Sequence, residues 1–149
     1  MIPNVCALLF SAMALLASRS AFASVESLWG SQEFHTRTGR FRYLALFPPH
    51  YDRKKPCELW MNLHGSPGCA GHAIFQYREE AAKRSAILLA PEATEGAGEY
   101  YTLEGGAKHE YHLWDMRHDP PHALAVLDDA LQRFQIDRSR IVLLGFSAG

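Results

Sequence analysis

Charge of one sign is in short supply in this sequence: 15 Lys and Arg stand against 16 Asp and Glu, a net charge of −1. No long basic block and no alternation of basic with aromatic residues runs along it, which excludes the usual electrostatic surface for nucleic acid. A neutral or uncharged small substrate is expected instead. Long apolar runs are also missing. A membrane span needs about 20 consecutive apolar residues, and the candidate run, Val5 to Ala17, stops short of that. Cysteine is scarce, three in all, so no dense disulfide framework holds the chain together. What remains is an ordinary globular composition, 48% hydrophobic and 21% charged, over 149 residues, the length of about one domain.

The short apolar run is followed by Ala21-Phe22-Ala23, a small-x-small pattern suited to signal peptidase. Residues 1–23 are therefore expected to be an export signal and residues 24–149 the mature domain, secreted or periplasmic, with no stable membrane insertion after cleavage. No Lys or Arg precedes the run, so its positive end is the terminal amine alone. Export removes Cys6 and leaves Cys57 and Cys69 in an oxidising compartment. Six extended residues at about 3.3 Å each put those two roughly 20 Å apart, beyond disulfide reach. Unless the loop folds back, at least one is expected to find its partner elsewhere.

Gln32 to Thr38 and Phe41 to Phe47 read as a leading β-hairpin, with Phe41, Tyr43, Ala45 and Phe47 alternating against Arg42, Leu44 and Leu46. Glu58 to Leu63 is the next expected strand, His72 to Arg84 a helix, and Ser85 to Ala90 a buried strand. Glu92 to Asp119 reads as irregular. A helix follows Pro120-Pro121, with Asp119 as its expected cap and Ala123, Val126, Leu127, Ala130, Leu131 and Phe134 on one face. Gln135 to Arg140 reads as a turn and Ile141 to Leu144 as a parallel strand covered on both faces. Strands alternating with helices after a hairpin predict an α/β sheet with crossover helices, whose ligands gather at the carboxyl ends of the strands.

Two glycine-bearing loops stand at such ends: His64-Gly65-Ser66-Pro67-Gly68 after Leu63, and Gly145-Phe146-Ser147-Ala148-Gly149 after Leu144. The second is a G-x-S-x-G. A serine hydroxyl is a poor nucleophile and must be lifted from the sheet toward a base and beside fixed N–H donors. A sharp strand-to-helix turn lifts it, and crowds the residues two before and two after so that only small ones fit, as Gly145 and Gly149 do. Among the eight histidines, His109-x-x-His112 and His118-x-x-x-His122 raise a zinc reading. Pro120-Pro121 keeps the second pair off one helical turn, so a surface insertion over the site mouth is preferred. His64 is expected to brace its loop. Asp115 reads as a loop carboxylate, and Asp128 and Asp129 as a solvated helix face.

These residues carry a resemblance. FRYLALFPPHYD, NLHGSPG, AILLAPE, Leu113-Trp114-Asp115 and IDRSRIVLLGFSAG, over roughly residues 40 to 149, resemble the amino-terminal half of an α/β-hydrolase. The nearest types are secreted polyhydroxybutyrate-depolymerase-like and feruloyl-type carboxylesterases. The resemblance implies a partial α/β-hydrolase fold ending at the nucleophile elbow, with Ser147 as nucleophile. It also implies Ala148 N–H as one oxyanion donor and Gly65 or Ser66 as the other. No metal or cofactor is implied, and the substrate is a small or polymeric ester. The sequence departs from the family in its Ser-Pro-Gly after His64-Gly65 and in a Gly- and His-bearing insertion before Trp114. In the family the acid and the histidine follow the serine, so the 149 residues alone are expected to be inactive. Two other readings share the fold: a prolyl-oligopeptidase-type serine peptidase and a non-catalytic secreted binding module. Tyr100, Tyr101, Tyr111 and Trp114 are available to stack on a phenolic acyl group, or simply pack the insertion. If the export reading holds, mass spectrometry of the protein recovered outside the cytoplasm will find Ser24 as its first residue; an intact Met1 would refute it.

Overall fold

Period-two alternation in the strands builds two opposite apolar faces, and each takes one helix. The computed structural model describes residues 30–102 and 108–149; the expected signal segment, with Cys6, lies outside them. The elements are β1 (Gln32–His35), β2 (Arg42–Leu46), β3 (Cys57–Leu63), α1 (Ala70–Lys83), β4 (Ile87–Pro91), β5 (Glu95–Thr102), β6 (Lys108–Leu113), α2 (Asp119–Arg133) and β7 (Ile136–Gly145). Five strands form one mixed sheet in the order β1-β2-β4-β3-β7. β1, β2 and β4 pair antiparallel, while β3 runs parallel to both β4 and β7. Leu44, Trp60, Leu88 and Ala90 pack under α1 against Ala73, Ile74 and Ala81. Their sequence neighbours Tyr43, Ala45, Leu59, Met61, Ile87 and Leu89 point the other way, against Val126 and Ala130 of α2. Each such fully buried aliphatic side chain contributes about 1.5–3 kcal/mol.

The element boundaries move for identifiable reasons. α1 starts at Ala70, ahead of the expected His72, because Cys69 has extended geometry and serves as the N-cap residue. Ser85, expected to open a strand, instead ends α1. It has φ 54°, and Ser85 N–H and Ala86 N–H donate to Ala82 O and Ala81 O, closing the last turn in a Schellman arrangement. The segment expected to be irregular contains β5 and β6, an antiparallel two-stranded sheet outside the main one. It meets the His64 loop through a bridge between Gly68 and His112.

At α2 the cap position belongs to His118, and Asp119 is already helical. The Asp119 carboxylate accepts from Asp115 N–H at 2.7 Å and from the Thr94 hydroxyl at 2.6 Å. The expected turn before the last strand lies within β7, which begins at Ile136. Register jumps there from Cys57↔Ile136 to Leu59↔Ile141, and the Asp137 carboxylate binds Ser139 N–H and Arg140 inside the irregularity. Of the aliphatic run expected to be covered on both faces, Leu143 is 68% exposed; β7 is the outermost strand of the described sheet. Among the described residues, neither Cys57 nor Cys69 is joined in a disulfide.

Asp129 also departs from expectation. It is 5% exposed rather than solvated, and its carboxylate accepts from the Tyr43 hydroxyl at 2.7 Å, Arg37 N–H at 3.0 Å and Arg133 Nε at 2.5 Å. Burial alone would raise this carboxyl, but those bonds outweigh it and hold it below its ordinary value. Asp128 is exposed, as expected.

His122 seals the other end of α2. Its ring stacks on Phe41 at 3.8 Å, Nδ1 lies 3.4 Å from Asp119, and Nε2 is buried without a partner. Burial holds the imidazole below its ordinary 6.5 despite the pull of Asp119. A lowered folded pKa means that this contribution is complete above pH 6.5 and is lost as the pH falls through the folded value. Urea midpoints will therefore fall on acidification below pH 6.5 in the wild type. His122→Phe will lose that component and keep the steeper carboxylate limb at lower pH; an unchanged profile would refute the assignment.

Candidate active site

Parallel pairing of β3 with β7 ends at Asn62↔Leu144 and Leu63↔Gly145, which sets the two glycine loops side by side. Phe146 N–H reaches back to Leu63 O at 3.4 Å, and Gly149 N–H donates to Phe146 O at 3.0 Å, closing a tight turn. Ser147 sits at its apex with φ 58°, exposed, in the left-handed region that costs an L-residue about 1–2 kcal/mol. Strain of this size persists where the surroundings enforce it.

Here the glycines are required by close approach. A Cβ on Gly145 would lie 2.5 Å from Gly149 O, and one on Gly149 would lie 2.3 Å from Leu63 O and 2.6 Å from His64 O. A Cβ on Gly65 would meet the Phe146 ring at 2.9 Å. The structure thus brings Gly65, Ser66, Gly145, Ser147, Ala148 and Gly149 to one corner of the sheet. Among the described residues, the backbone N–H groups of Gly65, Ser66 and Ala148 donate to no acceptor. A carbonyl group placed near Ser147 would therefore meet amide donors with no internal acceptor and an exposed hydroxyl.

His64 is 3% exposed and turned inward. Its Nδ1 lies 2.7 Å from Gly65 O, Nε2 receives Ala93 N–H at 3.3 Å, and its ring packs on Trp114 at 4.7 Å between centroids. The Trp114 indole N–H donates to His64 O at 2.6 Å, and Trp114 N–H donates to Ser66 Oγ at 3.2 Å. The histidine and the tryptophan together clamp the loop from two sides. Trp114 is committed to this clamp, and the side chains of Tyr100, Tyr101 and His109 lie outside the description.

Among the described residues, the remaining histidines do not converge. His118 contacts Asp115, His122 packs on Phe41, and His112 Nδ1 is buried and unpartnered. Among the described residues no three His, Cys, Asp or Glu side chains group to hold a metal ion. Asp115 accepts from Arg117 N–H at 2.9 Å, a loop carboxylate in fact.

Two cavities flank the elbow. One of about 460 Å³ is walled by His64, Gly65, His72, Phe75 and Phe146; another of about 150 Å³ lies among Leu63, Trp114, Met116, Asp119 and Ala148.

Sequence reasoning assigned no part to Glu92 or Arg42. Glu92 is 5% exposed and binds Arg42 at 2.8 Å, Ala70 N–H at 3.0 Å and His64 at 3.4 Å. Burial would raise its carboxyl, but His64 and Arg42 hold it below its ordinary value. A carboxylate placed directly after five buried strand residues was the available signal.

No family model and no curated protein matches the chain. Solved structures do. The chain is similar to a thermostable esterase, with a TM-score of 0.51 at 17% identity over 80% of this chain and 34% of that one. It is similar to the fluorophosphonate-binding serine hydrolase FphF of Staphylococcus aureus, with a TM-score of 0.51 at 19% identity over 77% and 45%. It is also similar to native sOPH, with a TM-score of 0.52 at 15% identity over 80% and 44%. The chain spans less than half the length of each. At these identities the likeness establishes the fold: a partial α/β-hydrolase fold, with leading antiparallel strands, parallel strands and crossover helices.

Ser147→Gly will relieve the backbone strain and raise stability by about 0.5–1 kcal/mol, whereas Gly149→Ala, pressed on two backbone oxygens, will lower it by more than about 1 kcal/mol. Urea unfolding measures both, and a destabilised Ser147→Gly would refute the strained turn.

Proposed function

We propose that the protein is an exported, secreted or periplasmic, serine ester hydrolase and that this chain carries its nucleophile and oxyanion donors. The observation that carries the reading is Ser147 held at φ 58° beside the open amides of the loop after β3. Ser147 Oγ attacks the ester carbonyl and its proton passes to a histidine supplied, with its acid, from outside these 149 residues. The negative charge forming on the carbonyl oxygen falls to Ala148 N–H and to Gly65 or Ser66 N–H. Collapse expels the alcohol and leaves an acyl-enzyme on Ser147, which water then hydrolyses. An esterase and a fluorophosphonate-binding serine hydrolase among the proteins sharing the fold support this chemistry. The motif resemblance favours polyhydroxybutyrate-depolymerase-like or feruloyl-type carboxylic esters as substrates.

In the full-length protein a fluorophosphonate probe will attach to Ser147, located by peptide mass spectrometry, and Ser147→Ala will abolish both labelling and hydrolysis of p-nitrophenyl esters. The 149-residue chain by itself will hydrolyse none. Undiminished hydrolysis in Ser147→Ala would remove the proposal.

A further inference from the structure

Two hollows along β7 contrast in the chemistry of their walls. Between α2 and β7 a groove of about 300 Å³ has apolar walls alone, Leu124, Leu127, Ile141 and Leu143 among them. Such a surface suits packing against another apolar element. The cavity of about 460 Å³ at the Phe146 side of the elbow is built otherwise. Phe75 and Phe146 supply its aromatic walls, while His64, His72, Gln76 and the Gly65 backbone bring polar groups to it. Apolar walls with a few polar groups, around a space of about 300–1,000 Å³, are what a small-molecule site requires.

Local structure explains how those walls are held. His72, Phe75 and Gln76 stand at offsets 0, 3 and 4 on α1, so they share one helix face. Arg78 steadies the Phe75 ring: its guanidinium lies 4.1 Å from the ring centre, and its Nη1 donates to Phe75 O at 2.6 Å. Phe146 immediately precedes Ser147 and is 63% exposed, with its ring 2.9 Å from where a Cβ on Gly65 would stand. An aromatic ring so open, one residue from the serine and against the loop after β3, is placed to be covered by a bound molecule. On the opposite flank, beside Ala148, the cavity of about 150 Å³ holds only a smaller group.

We propose that the larger cavity receives the acyl group of the ester, and that Phe75 and Phe146 are specificity-determining residues favouring acyl chains of several carbons over acetyl. The proposal rests on the ester hydrolase reading. Returning a proton to the leaving alcohol requires its oxygen to meet the histidine, which that reading draws from outside these 149 residues. The acyl group carries no such demand. It is therefore the part free to enter a cavity walled by this chain alone. Contact with the two rings rewards each added methylene, by about fourfold where its burial is complete.

Two isomeric esters test this in the full-length protein. Ethyl hexanoate carries its long chain on the acyl side and hexyl acetate on the alcohol side, with similar intrinsic reactivity at the carbonyl. The ratio of their kcat/KM values is expected to favour ethyl hexanoate by about tenfold. Gln76→Trp, which fills the cavity from exposed α1 surface, will lower that ratio by about fivefold or more. Glu79→Gln, on the same helix but outside the cavity wall, will leave it within about twofold. Should Gln76→Trp fail to fold, Phe75→Ala decides on the same ratio, lowering it by removing a wall. A Ser147 that takes the fluorophosphonate label in a protein that does not prefer ethyl hexanoate overturns the assignment and leaves the hydrolase reading intact. So does a folded cavity variant whose ratio is unmoved. A Ser147 that never labels, with neither ester cleaved, removes the hydrolase reading and the acyl assignment with it.

Discussion

The parallel pairing of β3 with β7 is the constraint on which the rest of the site depends. It brings the end of a strand from early in the chain beside a strand that closes it, so that two loops remote in sequence share one corner. The approach is close enough that backbone oxygens at Leu63 and His64 exclude any side chain from Gly149. The crowding enforces the left-handed backbone at Ser147, and the same contact leaves neighbouring amide hydrogens without internal partners. The geometry of the serine turn is thus a by-product of register: shift β7 by one residue and every side chain changes face while the serine leaves the corner.

Around that corner, buried polar groups perform the anchoring that apolar packing cannot. The two faces of the sheet hold their helices by non-directional burial, which tolerates sliding. Direction comes from Glu92, which ties the start of α1 to β2 and to His64, and from Asp129, which ties the end of α2 to Tyr43 and the β1-β2 turn. Asn62, fully buried in β3, adds a bond to Ala73 O of α1 at 2.9 Å. Buried charges removed from such networks leave their partners uncompensated, at a cost of about 3–5 kcal/mol. Each helix is therefore pinned at a defined height along the sheet, and the loops at the strand ends inherit that definition.

Much of this was legible in the residues themselves. The hairpin of β1 and β2, the buried β4 and the amphipathic α2 announce themselves through strict periodicity, and the G-x-S-x-G places the turn. Where the reading failed, the cause lay in distant contacts. β5 contains glycines and neither β5 nor β6 is rich in branched residues, so their pairing is set by each other and by the bridge to Gly68 rather than by local preference. Asp129 reads as solvent-facing until Tyr43 and Arg37 are brought to it from far along the chain. Asp119 has the chemistry of a cap, but Thr94 and Asp115 claim its oxygens first. Glu92 is the clearest case: only the folded arrangement of β2, β3 and α1 around it gives that carboxylate a meaning.

The hairpin of β5 and β6 is hung beside the corner that holds Ser147 by the Gly68–His112 bridge, with Trp114 following as a second point of attachment. Such a suspension uncouples two evolutionary pressures. The scaffold around the serine tolerates almost no drift, while the appended arm can lengthen, shorten or change its composition without disturbing that scaffold. Divergence among descendants of this gene should therefore concentrate in the arm, which is joined to the loop after β3 only at its edge.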